Sequence, residues 1–103
     1  MTESELHDAV RALCQELGLR TYHSRDSRRE EPGWPDLVIW GDRLVFRELK
    51  SESGRLSLAQ RDTLRSLERA GQNAGVWRPA DLEDGLIEAV LRAIARPSRR
   101  IRS

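Results

Sequence analysis

An α/β sandwich with the element order α-β-β-β-α-β-α is what this sequence predicts. Three observations carry it. Leu6, Val10, Leu13 and Leu17 recur at three- and four-residue steps near the start. Two short apolar runs flank Gly41-Asp42. Leu86, Ile87, Val90, Leu91 and Ile94 form a second helical stripe near the end.

Taken in order, Thr2 to Leu17 reads as a helix, with Gly18 suited to its left-handed cap. Leu19 to His23 is a short strand. Ser24 to Trp34 is polar and contains Pro32 and Gly33, so it reads as a loop. Leu37 to Trp40 and Leu44 to Leu49 form a hairpin around Gly41-Asp42. Both runs are apolar on both faces, which predicts a sheet covered on each side. Ser57 to Ala70 is the second helix, stopped by Gly71, and Ala74 to Trp77 is the last strand. Asp81 then caps a third helix.

At 103 residues the chain is expected to be one domain with a single core. The single Cys14 cannot form an internal disulfide and falls in the first helix's apolar pattern, so it reads as core in a reducing cytosol. Glu3 and Glu5, with no apolar run behind them, exclude a secretory signal, and no segment is long enough to span a membrane. A net charge of +1 does not announce a nucleic-acid partner. The distribution is more informative. Arg25, Arg28 and Arg29 share one polar segment, and Arg96, Arg99, Arg100 and Arg102 crowd the end. Such clusters can neutralise phosphates. The alternative is a solvated loop and a frayed tail, and residues 96–103 are expected to be a flexible basic tail.

Among the strands sit polar groups that a sheet does not need. Asp36 starts the second strand, and Glu48 and Lys50 end the third, giving Pro-Asp, eleven residues, then Glu-Leu-Lys. Carboxylates gathered at a strand end are costly unless a partner requires them. A divalent ion is such a partner, because hard cations prefer carboxylate oxygens. Register provides a test. Strand side chains alternate faces, so Asp36 and Glu48 share a face only when paired residue numbers have an even sum. A two-residue Gly41-Asp42 turn pairs Trp40 with Arg43 and separates them. A three-residue loop, Gly41 to Arg43, pairs Trp40 with Leu44 and brings Asp36 opposite Glu48. The proposed chemistry therefore demands the odd loop or a bulge. The competing reading is an ordinary surface salt bridge, since both motifs are short and common.

The wider pattern resembles a known family. Tyr22-His23-Ser24-Arg25-Asp26-Ser27, Pro32-Gly33-Trp34-Pro35-Asp36-Leu37, Glu48-Leu49-Lys50, and Leu56-Ser57 with Gln60 are similar to the virus-type replication-repair nuclease (VRR-NUC) branch of the PD-(D/E)xK superfamily. The resemblance extends from Thr2-Glu3 to Val76-Trp77-Arg78-Pro79. It implies a restriction-endonuclease-like αβββαβ core, a mixed sheet flanked by helices, here with an extra C-terminal helix. It also implies an Mg²⁺- or Mn²⁺-dependent endonuclease acting on DNA, often branched DNA resembling Holliday junctions, in phage or bacterial replication and repair. Small stand-alone members are thought of as homodimers. By position, Asp36 and Glu48 become metal ligands, Lys50 the catalytic lysine, and the Leu49 carbonyl an additional ligand.

Family members often draw a further Glu from the first helix. Glu3, three before Leu6, lies on the buried stripe, whereas Thr2-x-x-Glu5 fits a capping box, so Glu3 is assigned to the metal. Ser57-x-x-Gln60 also fits a capping box, yet Gln60 precedes Leu64 by four and turns toward the sheet; the resemblance expects a Gln near the site, and the two roles are compatible. His23, Arg25 and Arg28 are candidates for phosphate contact, against the plainer reading of a satisfied histidine and solvated arginines. Trp34, Trp40 and Trp77 are suited to base stacking, but the two strand tryptophans fit core packing or a subunit contact better. The rivals to a nuclease are a DNA-binding module of the same fold that does not cut, and a protein-interaction domain with an acidic hairpin.

Overall fold

The computed structural model describes residues 1–24 and 32–95. The elements are α1 (Glu3–Glu16), β1 (Arg20–His23), β2 (Leu37–Trp40), β3 (Leu44–Leu49), α2 (Leu58–Arg69), β4 (Asn73–Trp77), α3 (Pro79–Glu83) and α4 (Leu86–Ala95). The sheet runs β1-β2-β3-β4. Its first two pairings are antiparallel and β3-β4 is parallel. This is a mixed four-stranded sheet flanked by helices, with the αβββαβ order expected from the sequence. Among the described residues, no helix is long and apolar enough to cross a membrane.

Local signals explain where the helices begin. At α1 the Thr2 hydroxyl accepts from the Glu5 N–H at 3.1 Å, and Glu5 Oε1 accepts from the Thr2 N–H at 2.7 Å. At α2 the Ser57 hydroxyl accepts from the Gln60 N–H at 3.1 Å and the Gln60 side-chain Oε1 accepts from the Ser57 N–H at 2.8 Å, the same reciprocal pair. Each box satisfies N–H groups that a helix start leaves without intrahelical partners. The expected single third helix is in fact two. Gly85 adopts φ +82°, outside the helical region, and separates α3 from α4. Asp81 is not the first cap there; it lies inside α3 and its carboxylate accepts from the Arg78 N–H at 2.8 Å.

The hairpin has the three-residue loop. Trp40 pairs with Leu44 and Leu37 with Arg47, an even sum in both cases. The loop is docked rather than free: the Asp42 N–H donates to the Ile94 carbonyl at 2.7 Å, and Arg43 Nη2 donates to the Ala93 carbonyl at 2.8 Å. Both acceptors lie in the last turn of α4, whose carbonyls lack intrahelical donors. The loop length is thus set by a helix end 50 residues later in the chain.

One face of the sheet carries the core. Leu37, Ile39, Val45, Leu49 and Trp77 meet Leu6, Val10 and Cys14 of α1 and Ile87, Leu91 and Ile94 of α4. Cys14 is buried core, as expected, and burial pushes its thiol up to about 11. Arg47 shares this face. Its guanidinium donates to the carbonyls of Phe46 and Asn73 and to Asn73 Oδ1, and lies 4.8 Å over the Trp77 ring. The opposite face, expected to be covered throughout, is covered only in part. Phe46 and Leu64 are buried there, but Val38 and Trp40 are half-buried and Tyr22 is 52% exposed. The reason is that α2 packs along β4, so that among the described residues no helix lies over the β1-β2 half of this face.

Candidate active site

The register of β2 and β3, continued one residue past Leu37, sets Asp36 beside Glu48. Hydrogen bonds fix the pair. Glu48 Oε1 accepts from the Asp36 N–H at 3.2 Å, and Asp36 Oδ2 accepts from the Leu49 N–H at 3.0 Å. Each carboxylate is therefore held by the other residue's strand end. Glu48 Oε2 receives Gln60 Nε2 at 3.0 Å and faces Lys50 Nζ at 3.7 Å. Gln60 faces two ways: its amide oxygen completes the α2 capping box while its nitrogen reaches the Glu48 carboxylate.

The approach of α2 to this corner depends on Gly33. Its φ of +83° is a conformation that L side chains rarely adopt, and a Cβ there would lie 2.3 Å from the Ala59 carbonyl oxygen. The 32–34 segment thus presses directly on the first turn of the helix that carries Gln60. Trp34 adds an edge-on contact with Phe46, ring centroids 5.7 Å apart. Beyond Lys50, Arg78 Nη1 donates to the carbonyls of Ser51, Glu52 and Gly54 at 2.6, 3.3 and 2.7 Å, which holds the connection to α2.

From the other side, α1 brings a residue that the spacing arguments did not single out. His7 Nε2 lies 3.6 Å from Asp36 Oδ2. Glu3, one turn earlier on the same face, joins it: Glu3, His7 and Asp36 each offer a ligand atom within 4.8 Å of the others. The signal for His7 was present in the sequence as the four-residue step from Glu3, adjacent to Leu6. Glu3 itself is exposed rather than buried with the stripe, but it does face Asp36's surroundings. Glu5 is the capping residue. His23, at the end of β1, stacks obliquely on His7 with ring centroids 4.8 Å apart. Arg25, Arg28 and residues 96–103 lie outside the described residues.

The electrostatics separate the two carboxylates. Burial pushes Glu48 up to about 7, helped by the nearby Asp36 charge and opposed by Lys50. Burial also acts to raise Asp36, but the contacts from His7 and the Leu49 N–H outweigh it and hold its carboxyl below the usual value. The Asp36 carboxylate in turn raises His7 above the ordinary histidine value. One oxygen donor of low basicity beside one of high basicity, with a histidine at hand, suits cation binding and proton management.

The arrangement can be set beside known proteins. The VRR-NUC domain matches residues 1–81. The chain belongs to the VRR-NUC family. That span includes Glu3, His7, Asp36, Glu48, Lys50 and Gln60 and ends within α3, so α4 lies beyond it. A solved VRR_NUC domain protein shares the fold, with a TM-score of 0.63 and 20% identity over 87% of this chain and 85% of that one. The solved structure of Archaeoglobus fulgidus Hjc, a Holliday junction resolvase from an archaeal hyperthermophile, is similar with a TM-score of 0.47 and 22% identity, covering 70% of this chain and 67% of that one. No curated protein matches the chain.

Proposed function

We infer that this VRR-NUC domain is an Mg²⁺- or Mn²⁺-dependent DNA endonuclease that hydrolyses phosphodiester bonds, with Asp36, Glu48 and Lys50 as its reacting centre. The observation that supports it best is the gathering of Asp36, Glu48, Lys50 and Gln60 at one end of the sheet. A divalent ion fits the donor set: two adjoining carboxylates, one of them almost fully buried, have a single lysine against them within the hairpin. Asp36 and Glu48, with Glu3 and the Leu49 carbonyl, would hold the ion. When bound it supplies Lewis-acid polarisation of the phosphate and acidifies water.

The chain's own groups do the remainder. Lys50 places a compact positive charge where the phosphorane develops negative charge. Gln60 orients Glu48 by donating to Oε2 and leaves Oε1 on the Asp36 N–H. His23, Arg25 and Arg28 contact phosphates in this reading, and the setting is a cytoplasmic replication or repair process of a phage or bacterium. Branched DNA is the substrate class that the family resemblance implies, and a homodimer would present two such sites. The half-covered sheet face with exposed Tyr22 and half-buried Val38 and Trp40 supports the dimer.

The test is incubation with plasmid, linear and four-way-junction DNA, with Mg²⁺, Mn²⁺ or EDTA, beside Asp36→Asn. Metal-dependent cutting that Asp36→Asn abolishes is expected. Retained DNA binding with no cutting under any metal would instead identify a non-cleaving module of the same fold.

A further inference from the structure

We propose that His7 is a nitrogen ligand of the divalent ion, so that Glu3, His7 and Asp36 form a mixed nitrogen-oxygen donor face that favours Mn²⁺ over Mg²⁺. The proposal rests on the metal-dependent reading above and adds to it a residue on α1. Three observations carry it. First, Glu3 and His7 are four residues apart on one helix, which stacks their side chains on one face, and that face meets Asp36 at the start of β2. Their ligand atoms and that of Asp36 lie within 4.8 Å of one another, close enough for one ion to engage all three. Second, the histidine is aimed. Its side chain is only 14% exposed, and Nε2 faces Asp36 Oδ2 at 3.6 Å, a separation suited to two ligands on one ion but long for a hydrogen bond.

Third, the ion pair with Asp36 accounts for only one of the two ring nitrogens. A ring kept for structure satisfies its buried nitrogens by hydrogen bonds. His7 Nδ1 is buried and has no hydrogen-bond partner among the described residues, so the ring is placed by packing, including the oblique contact with His23. Its polar direction is toward Asp36. Chemistry then sets the preference. Mg²⁺ demands oxygen donors and holds its waters, whereas imidazole suits first-row transition metals. A donor face with one imidazole shifts affinity toward Mn²⁺ without excluding Mg²⁺ from the carboxylates.

The experiment uses the full chain without an affinity tag and Mn²⁺ as the probe. The sequence has two histidines, His7 and His23, so a directly coordinated imidazole can come only from these. Electron spin-echo modulation of bound Mn²⁺ is expected to show coupling to ¹⁴N in the wild-type protein and in His23→Ala, and to lose it in His7→Gln and His7→Ala. Titration should show Mn²⁺ affinity falling about tenfold in His7→Gln, a loss on the scale seen around metal ligands, with Mg²⁺ affinity little changed. His7→Gln retains a polar side chain of similar reach, and a thermal melt of each variant reports the fold. Mn²⁺ bound by the wild type without ¹⁴N coupling overturns the proposal and leaves the metal-dependent reading intact. Coupling that survives in His7→Gln also overturns it and transfers the ligand to His23. If the wild type binds no Mn²⁺ at all, the inference and the metal-dependent reading fall together.

Discussion

Replacing Glu48 by glutamine is expected to stabilise the metal-free protein while abolishing cleavage. Glu48 is 3% exposed, and burial with the adjacent Asp36 charge pushes its carboxyl up to about 7 from an unfolded value of 4.5. Because the folded value is the higher one, the folded state is favoured while the carboxyl is neutral. That contribution is complete below pH 4.5 and is lost as pH rises through about 7. The gap, at about 1.36 kcal/mol per pH unit, sets a ceiling of about 3 kcal/mol on the cost of keeping Glu48 ionised at pH 8. The replacement amide carries no charge and keeps one oxygen that can accept from the Asp36 N–H, but its NH2 takes the place of the oxygen that accepts from Gln60 Nε2 at 3.0 Å and faces Lys50 at 3.7 Å. The lost hydrogen bond offsets about 1 kcal/mol of that ceiling, so a net gain of about 1–2 kcal/mol is expected at pH 8. For a domain of this size each kcal/mol moves Tm by about 4–8 °C. The assay is thermal and urea unfolding followed by circular dichroism in EDTA, from pH 4 to 8.5. The stability of Glu48→Gln relative to wild type should rise from pH 4 to its full value above pH 7. Adding Mn²⁺ should raise the wild-type Tm more than that of the variant, because the ion binds the folded carboxylates. A Glu48→Gln protein no more stable than wild type at pH 8 without metal would refute the claim that the site holds a strained carboxylate.

Three further outcomes are expected. Lys50→Ala should lower cleavage by about 10²–10³-fold, the scale of losing one transition-state charge contact, while melting temperature and DNA binding change little; near-wild-type turnover at matched metal removes Lys50 from the reaction. Gly33→Ala should cost about 1–3 kcal/mol, because its Cβ meets the Ala59 carbonyl at 2.3 Å, and should reduce cleavage by displacing the helix that bears Gln60. An unchanged melting temperature would show that the 32–34 segment does not press on α2. Sedimentation at micromolar protein should give roughly twice the chain mass, as expected for a moderate two-fold interface, and Tyr22→Glu should shift it toward monomer. A wild-type monomer persisting on four-way-junction DNA would rule out the paired-site arrangement.

Much of the framework was legible because it is written in local chemistry. Thr2 with Glu5 and Ser57 with Gln60 announce helix starts through hydrogen bonds that need only three residues of separation. The β2 and β3 runs are legible as strands because each alone is apolar and short, and their parity argument named the loop that places Asp36 beside Glu48. The break in the last helix was missed because Gly85 lies between the expected Asp81 cap and the stripe that starts at Leu86, and its φ of +82° is a matter of backbone geometry, not of pattern.

What the tertiary structure decided lies between elements distant in the chain. Sequence rules allowed either a two- or a three-residue hairpin loop; the α4 carbonyls of Ala93 and Ile94 select the longer one by accepting from Arg43 and Asp42. Gln60 reads equally well as a cap or as a site residue until α2 is packed on the sheet, when its two ends are seen to serve each purpose separately. Gly33 is a turn residue on paper and a clearance for the Ala59 carbonyl in space. His7 is an unremarked polar residue beside an apolar stripe until packing of that stripe turns it onto Asp36. By itself the sequence determined the order of the strands and the first two helices and where Asp36, Glu48 and Lys50 stand on them, because periodicity, capping and strand parity act over a few residues. Which other groups join them was decided by close packing, which sets distances between α1, β2, β3 and α2 that no spacing along the chain encodes.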